Sequence, residues 1–435
     1  MVVNDRTPTI ETLCNFPFKK LVEIKLIFGR YNRMQLICKQ SSDEPVLTAV
    51  TDELTIVIPC LNEAETLGIC LEKAFRFFRA YDVSGEVIVA DNGSTDGSQE
   101  IAQSTGARVV HVEERGYGAA LIAGISAAHT PYVAMADGDD SYDFMALMPF
   151  LTKLREGYDL VMGNRFMGGI GRGAMPSLHR FLGNPALSLA GRIFYNAPIG
   201  DFHCGIRAFN REAICGLGLS SNGMEFASEM VVKAQLSGLR MTEVPAVLSP
   251  DGRSRPPHLR SWRDGWRHLK FLLLFSPFWL HVYPGIVLTI VGLIGFILLL
   301  PGFVTIGSIN LGVHSLLFFA ASLILGVQLI SLGMLASIFG VREGYWQEGK
   351  RMVGIRKLMT IDRGCIIGGV LLIAGISGSI ATFLQWANAG YGDMVVEQLM
   401  RFSIPSILAC VIGVQIIFTT FLAELVSHPK KDNFK

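Results

Sequence analysis

The sequence predicts an α/β soluble domain, a doubly wound and mostly parallel sheet, followed by an all-α membrane domain of four transmembrane helices. Three observations predict it. From Leu54 onward, short β-branched runs alternate with helical patterns, as in a parallel sheet flanked by helices. The last third of the 435-residue chain is dominated by long uncharged runs. Between the two, Met135-Ala-Asp-Gly-Asp-Asp-Ser141 sets carboxylates just past an apolar run, where open α/β sheets present ligand-binding groups.

Residues 1–52 show little periodicity, and the mixed basic and apolar stretch from Phe18 to Ile37 is assigned no chemistry. The first twenty residues have neither the apolar core nor the small-residue cleavage pattern of a secretory signal. Leu54–Ile58 reads as the first strand, ending at Pro59, and Glu63 to Ala80 as a helix. Glu86–Ala90 is the second strand, closed by Asp91-Asn-Gly-Ser-Thr-Asp96. A helix from Gly97 to Ser104, a strand over Arg108–Val112 and a helix entered after Gly116-Tyr-Gly118 follow, and Tyr132–Ala136 is the fourth strand. A dinucleotide-binding domain would need a Gly-rich turn after its first strand. Here that strand runs into Pro59-Cys-Leu-Asn-Glu63, which excludes it.

Four segments lack charge for the roughly 20 residues that a bilayer span requires. They are Val282–Val304, Leu311–Phe339, Gly364–Asn388 and Phe402–Ala423. The connector from Gly340 to Gly364 carries Arg342, Lys350, Arg351, Arg356, Lys357 and Arg363, and the tail carries Lys430, Lys431 and Lys435. The connector from Thr305 to Asn310 has no charge. Basic loops stay on the cytoplasmic side, so both termini and the soluble domain are expected there. Ahead of the first span, Arg253, Arg255, Arg260, Arg263, Arg267 and Lys270 interleave with Trp262, Trp266 and Trp279. That pattern reads as a helix docked on the anionic headgroups of membrane lipids. The expected division is thus an extension (1–52), a soluble domain (53–252), an interfacial segment (253–281), four spans (282–426) and a tail (427–435).

A net charge of +1 argues against a nucleic-acid binder, and the eight scattered cysteines have no zinc-site spacing. Asp137 and Asp139, one residue apart, can share a hard divalent cation, which in turn clamps nucleotide phosphate oxygens.

The motifs Pro59…Asn62-Glu63, Asp91-Asn-Gly-Ser-Thr-Asp96, Gly116-Tyr-Gly118 and Asp137-Gly-Asp139 fall in order at strand ends. Together they resemble the nucleotide-sugar half of inverting family 2 glycosyltransferases of the GT-A fold. Further on, Gly163-Asn-Arg165, Arg180 with Asn184, and Asp201-Phe-His-Cys-Gly-Ile-Arg207 resemble the polyprenyl-phosphate branch of that family, which includes dolichol-phosphate mannose synthases. The resemblance covers about Leu54 to Lys270.

The resemblance implies a hexosyltransferase that uses a nucleotide-sugar donor (UDP- or GDP-hexose), a polyprenyl phosphate acceptor and a divalent cation, Mg2+ or Mn2+. It implies that Pro59, Asn62 and Glu63 line the base and ribose pocket and that Asp91 contacts the base. Gly116 and Gly118 would let the backbone approach the nucleotide, and Asp137 would lie near the sugar and phosphates. Asp139 would be the principal metal ligand. Ser141 stands where the branch often has Gln, so either Ser141 or Asp140 is left as the third protein contact. Asp96 reads equally well as the cap of the next helix.

Arg165 and Arg180 match the family's acceptor-phosphate arginines, with Asn184 beside Arg180 and Arg207 as a further candidate. Guanidinium suits that task because it pairs with phosphate oxygens bidentately. Gly168-Gly-Ile-Gly-Arg-Gly173 reads as a mobile loop over the acceptor, and Glu225 and Glu229 as residues placing an arginine or the sugar. A homo-oligomer is compatible with the sequence. A processive polysaccharide synthase should carry Gln-x-x-Arg-Trp near the interface, and Ser261-Trp262-Arg263 does not supply it. A non-catalytic scaffold need not keep the aspartate pair and both arginines.

Overall fold

The computed structural model describes residues 52–254, 261–345, 353–354, 360–392 and 395–428. All but Asp52 of the N-terminal extension lies outside them. So do Arg255, Arg260, Lys350, Arg351, Arg356, Lys357, Lys430, Lys431 and Lys435, on which part of the interfacial and topological reading rests. The chain forms two compact units that divide between Leu272 and Leu273, inside the expected interfacial segment.

In the first unit the order is β1 (Leu54–Cys60), α1 (Leu67–Tyr81), β2 (Gly85–Asp91), α2 (Ser98–Ser104), β3 (Arg108–His111), α3 (Tyr117–Ala127) and β4 (Tyr132–Met135). Then come α4 (Met148–Arg155), β5 (Leu160–Asn164), the short α5 (Arg165–Gly168), α6 (Asn184–Tyr195), β6 (Arg207–Asn210), α7 (Arg211–Cys215), α8 (Phe226–Leu236), β7 (Met241–Pro245) and α9 (Ser261–Leu274). The seven strands pair in the order β3-β2-β1-β4-β6-β5-β7. All run parallel except β6, which is antiparallel to both β4 and β5. The mostly parallel sheet expected from the sequence is therefore present.

That arrangement decides where the chemistry sits. The C-terminal ends of β1, β2, β4 and β5 share one edge of the sheet. Because β6 is reversed, its start and the loop Asp201–Ile206 leading into it reach the same edge. Apolar side chains of β1 and β2, among them Ile56, Ile58, Val87 and Val89, pack with Leu67, Leu71, Phe77 and Phe78 of α1. Pro59 is tolerated inside β1 because β4 pairs only with Leu54–Val57, so the missing N–H falls where that ladder has ended.

The helix expected from Glu63 begins at Leu67 instead. The N–H groups of Glu63 and Ala64 are taken by the Ser98 hydroxyl (2.9 Å) and the Asp96 carboxylate (2.9 Å), so residues 61–66 become a braced loop. Asp96 thus ties two loops together, while Gly97 precedes α2. The glycine loop expected to be mobile is also pinned. Gly171 N–H donates to Leu248 O and Leu248 N–H to Gly169 O (2.8 and 3.0 Å).

The second unit holds α10 (Tyr283–Leu299), a hairpin of β8 (Val304–Ile306) and β9 (Ile309–Leu311), α11 (Val313–Arg342), α12 (Ile361–Asn388) and α13 (Val396–Ser427). Among the described residues, four helical segments are long and apolar enough to cross a membrane, with Phe278–Val282 extending the first. They match the four expected spans. Small residues let the helices close. A Cβ on Gly285 would lie 2.8 Å from Gly326 O, and one on Gly368 would lie 2.6 Å from Gly413 O. On α9, Trp262 and Trp266 are 83% and 62% exposed, whereas Leu272 is buried.

Candidate active site

The loops after β1 and β2 are stitched to each other before any ligand arrives. Asn62, at φ +58°, accepts the Thr95 N–H on its side-chain oxygen (2.8 Å) and donates its own N–H to the Ser94 hydroxyl (2.8 Å). Asn62, Glu63, Glu65, Thr95, Asp96 and Arg253 line a cleft of about 290 Å³ at this edge.

Other residues expected at the donor have different settings. Pro59 is buried within β1. Asp91 is 1% exposed, and its carboxylate accepts the N–H groups of Gly93 and Ser94 and the Gln99 side-chain amide (2.6 Å). It closes the β2 turn from within, because a buried carboxylate needs donors close by. Gly116 and Gly118 accommodate protein backbone. A Cβ on Gly116 would fall 2.1 Å from Asn222 O, and one on Gly118 would fall 2.0 Å from Ser221 O. Gly116, at φ +139°, could not easily be any other residue.

The aspartate pair follows β4. Asp137 accepts the Tyr117 hydroxyl (2.9 Å), and Gly205 lies so close that a Cβ there would meet its carboxylate at 2.3 Å. Burial, with the charge of Asp139, pushes the Asp137 carboxyl up to about 6, against the pull of Tyr117, Arg253 and Arg207. Burial and Asp137 also hold Tyr117 well above the ordinary phenol range, so it stays a donor.

Asp139 accepts the Ser141 N–H (3.1 Å) and hydroxyl (2.6 Å) on one oxygen and Arg253 Nη2 (2.8 Å) on the other. Asp140, at φ +61°, turns its carboxylate to Lys73 (2.7 Å), so of the two candidates for a third contact only Ser141 lies against Asp139. Among the described residues no group of three His, Cys, Asp or Glu side chains could hold a metal by itself. Two carboxylates suffice for a hard cation that takes its remaining ligands from water and substrate phosphate. The Arg253 guanidinium already stands against Asp139 as a cationic stand-in, so the residues fit a divalent ion.

Arg253 was expected at the membrane flank, grouped with its basic neighbours. The structure instead brings it onto Asp139, Asp251 (2.9 Å) and Glu63 (3.2 Å). Only its position after Asp251-Gly252, apart from the tryptophans, could have signalled this.

The acceptor candidates separate. Arg165 opens α5, whose first N–H groups are capped by the Asn164 side chain. It is buried, and its Nε and Nη2 clasp Asp201 bidentately at 2.6 and 2.7 Å. Arg180 is exposed and lies over the Phe181 ring at 5.5 Å, among exposed Leu178, Phe181 and Leu182. Leu189 and Ile193 of α6 are also exposed. Asn184 donates to the Met175 sulfur at 3.5 Å.

Arg207 is only 1% exposed, and its guanidinium donates to Ala227 O (3.1 Å) and Cys204 O (2.6 Å). Its charge favours the ionised form of Asp137, and so enclosed a guanidinium offers no exposed surface to an acceptor phosphate. Glu229 is consumed by a buried ion pair with Lys233 (2.7 Å) and by the Ser220 and Ser221 N–H groups, so its role is structural. The sequence also gave no sign that Ser228 joins His203 (3.2 Å) to His268 of α9 (2.8 Å).

Comparison with known proteins shows the family. Residues 55–217 match the model for glycosyl transferase family 2, and residues 334–427 match that for the family 2 C-terminal transmembrane region. A low-salt glycan biosynthesis hexosyltransferase of Haloferax volcanii, Agl6, is 34% identical, over 88% of this chain and 92% of its own. A dolichyl-phosphate hexose transferase of the same organism is 34% identical, over 45% of this chain and 82% of its own. Among solved structures, a glucosyl-3-phosphoglycerate synthase of Mycobacterium tuberculosis is 21% identical with a TM-score of 0.40, over 51% of this chain and 78% of that one.

Proposed function

The chain belongs to glycosyltransferase family 2, a GT-A α/β domain ahead of a multi-pass membrane region, and on that footing we propose that it transfers a hexose from a nucleotide sugar to a polyprenyl phosphate. The observation that carries this reading is the setting of Arg180, a cation held in an exposed apolar surface beside Leu178, Phe181 and Leu182. A lipid phosphate presents that combination of anion and hydrocarbon. The dolichyl-phosphate hexose transferase among the relatives supports the same acceptor class.

The nucleotide, UDP or GDP, occupies the cleft lined by Asn62, Glu63, Thr95 and Asp96. Asp137, Asp139 and the Ser141 hydroxyl would hold a divalent cation, Mg2+ or Mn2+, which neutralises the leaving diphosphate when bound. The acceptor phosphate has a second pKa of about 6, so near neutral pH it is mostly a dianion and needs no strong general base. One of its oxygens bonds to the anomeric carbon as the bond from that carbon to the diphosphate breaks. The products are a lipid-linked monosaccharide phosphodiester and a nucleoside diphosphate. Arg165, oriented by Asp201, and Arg180 offset the repulsion between acceptor phosphate and donor diphosphate. Arg342 and Arg363 flank the loop between the second and third spans, which supports a catalytic domain on the cytoplasmic side with its nucleotide sugars.

The test is turnover by the purified full-length protein with Mn2+, a panel of UDP- and GDP-hexoses and a short-chain polyprenyl phosphate. A lipid-linked hexose should form with at least one donor. Hydrolysis of a donor without any lipid product would overturn the acceptor assignment.

A further inference from the structure

The segment from Ser249 to Ser254 lies against Asp139 and Ser141. Ser249 N–H donates to Ser141 O and Gly252 N–H to Asp139 O, both at 2.9 Å. Ser254 binds Glu65 through its N–H (2.7 Å) and its hydroxyl (2.6 Å). Between these anchors, Arg253 reaches three carboxylates: Asp139 (2.8 Å), Asp251 (2.9 Å) and Glu63 (3.2 Å). Its side chain is 10% exposed, and its Nε–H is buried with no acceptor. The guanidinium is thus held by charge while one of its donors goes unused. That is the state of a group serving as counter-charge rather than one built into a complete hydrogen-bond network.

We propose that Arg253 is the internal counter-cation of the donor site and makes the site admit a divalent ion only together with the nucleotide diphosphate. The inference deepens the proposed function and rests on its assignment of the cation to Asp139.

The physical argument is competition followed by linkage. A divalent ion on Asp139 and a guanidinium on the same carboxylate repel each other, so the ion can enter only as Arg253 withdraws. Withdrawal strips the cation from Glu63 and Asp251 as well, in a poorly hydrated pocket, so a bare ion gains little. A nucleoside diphosphate arriving with the ion brings the negative charge that lets the guanidinium leave the carboxylates. Ion and donor therefore bind cooperatively, and by reciprocity each tightens the other by the same factor. The site would then not be filled by free divalent ions when donor is absent.

The experiment is Mn2+ titration of the full-length protein in detergent or nanodiscs. Free ion is read by electron paramagnetic resonance, with no nucleotide, with UDP and with GDP, corrected for Mn2+–nucleotide complexes in solution. In the unaltered protein one nucleotide should tighten Mn2+ binding by about ten- to a hundredfold, the usual span of a coupling free energy. In Arg253→Met, Mn2+ alone should bind about tenfold tighter, and the coupling to nucleotide should shrink by the same factor. Arg253→Lys, which keeps charge but loses the fork, should fall between. Asp139→Asn should abolish the site in both backgrounds.

Mn2+ affinity without nucleotide that is unchanged or weaker in Arg253→Met would overturn the proposal while leaving the proposed function intact. Absence of Mn2+ binding to the unaltered protein with either nucleotide would overturn both.

Discussion

The proposed donor side and the proposed acceptor side of this site are built on opposite principles. Around the proposed donor cleft many polar groups already have a partner within the chain: Asn62 with Ser94 and Thr95, Glu63 and Ala64 with Ser98 and Asp96, Asp139 with Ser141 and Arg253. On the proposed acceptor side, one arginine is buried against Asp201 and the other stands in the open among apolar residues. Under the proposed function, a soluble, multiply charged nucleotide would meet a preorganised polar cleft, whereas a lipid phosphate would bring its own hydrocarbon to a surface that accepts both.

The largest effect that would test this contrast lies on the donor side. Asp139→Asn removes a charged ligand from the cation and should reduce transfer by more than about a thousandfold, the scale of losing an electrostatic stabiliser of the leaving group. Its dependence on Mn2+ should disappear too, as seen by titrating the metal in a transfer assay.

The two arginines should then part company. Arg165→Ala leaves Asp201 buried without its cation, which costs about 3–5 kcal/mol. Thermal unfolding should therefore move down by several degrees, alongside loss of activity. Arg180→Ala should leave the unfolding temperature in place. It should lower kcat/KM for polyprenyl phosphate by about ten- to a hundredfold, the worth of one charge-assisted hydrogen bond. Donor affinity measured by calorimetry should stay constant in Arg180→Ala. Equal thermal shifts for the two variants would break the contrast.

The smallest effect concerns stability without metal. Asp137 has a carboxyl raised from 3.8 to about 6, so the fold favours its protonated form. That contribution is complete below pH 3.8 and is lost as pH rises through about 6, which leaves the ionised carboxylate a burden at neutral pH. Asp137→Asn should therefore raise the unfolding temperature of metal-free protein at pH 7.5 and bring roughly half that gain at pH 5, which lies within the window between the two values. A gain of the same size at both values would assign the burden to something other than charge.

The sequence made the first half of the sheet legible and the second half much less so. Strands β1, β2 and β4 are runs of β-branched and apolar residues with turn residues after them, and each was located to within a residue or two. Strand β6 is four residues long and begins with Arg207, a charged residue that no apolar pattern marks as buried. Its reversal nevertheless carries the Asp201 loop to the active edge.

Motifs showed which loops matter but not which atoms stay available. Asp91 and Gly116 stand at the expected places, yet their settings are decided by Gln99 and Asn222, residues outside the motifs. Arg253 was hidden by its neighbours, since one basic residue in a basic run gives no hint that it folds back onto an aspartate. The four spans were plain throughout, because in lipid apolar length alone sets the signal.

The measurement that bears most directly on the whole account is the chemical identity of the product. The full-length protein should be given its preferred nucleotide sugar with either a polyprenyl phosphate or the matching polyprenol, and the lipid product examined by mass spectrometry and phosphorus NMR. Transfer should occur to the phosphate alone, giving a glycosyl phosphodiester and no product from the alcohol. Comparable transfer to the polyprenol, or a sugar bound through a hydroxyl, would contradict the assignment of Arg165 and Arg180 to an acceptor phosphate.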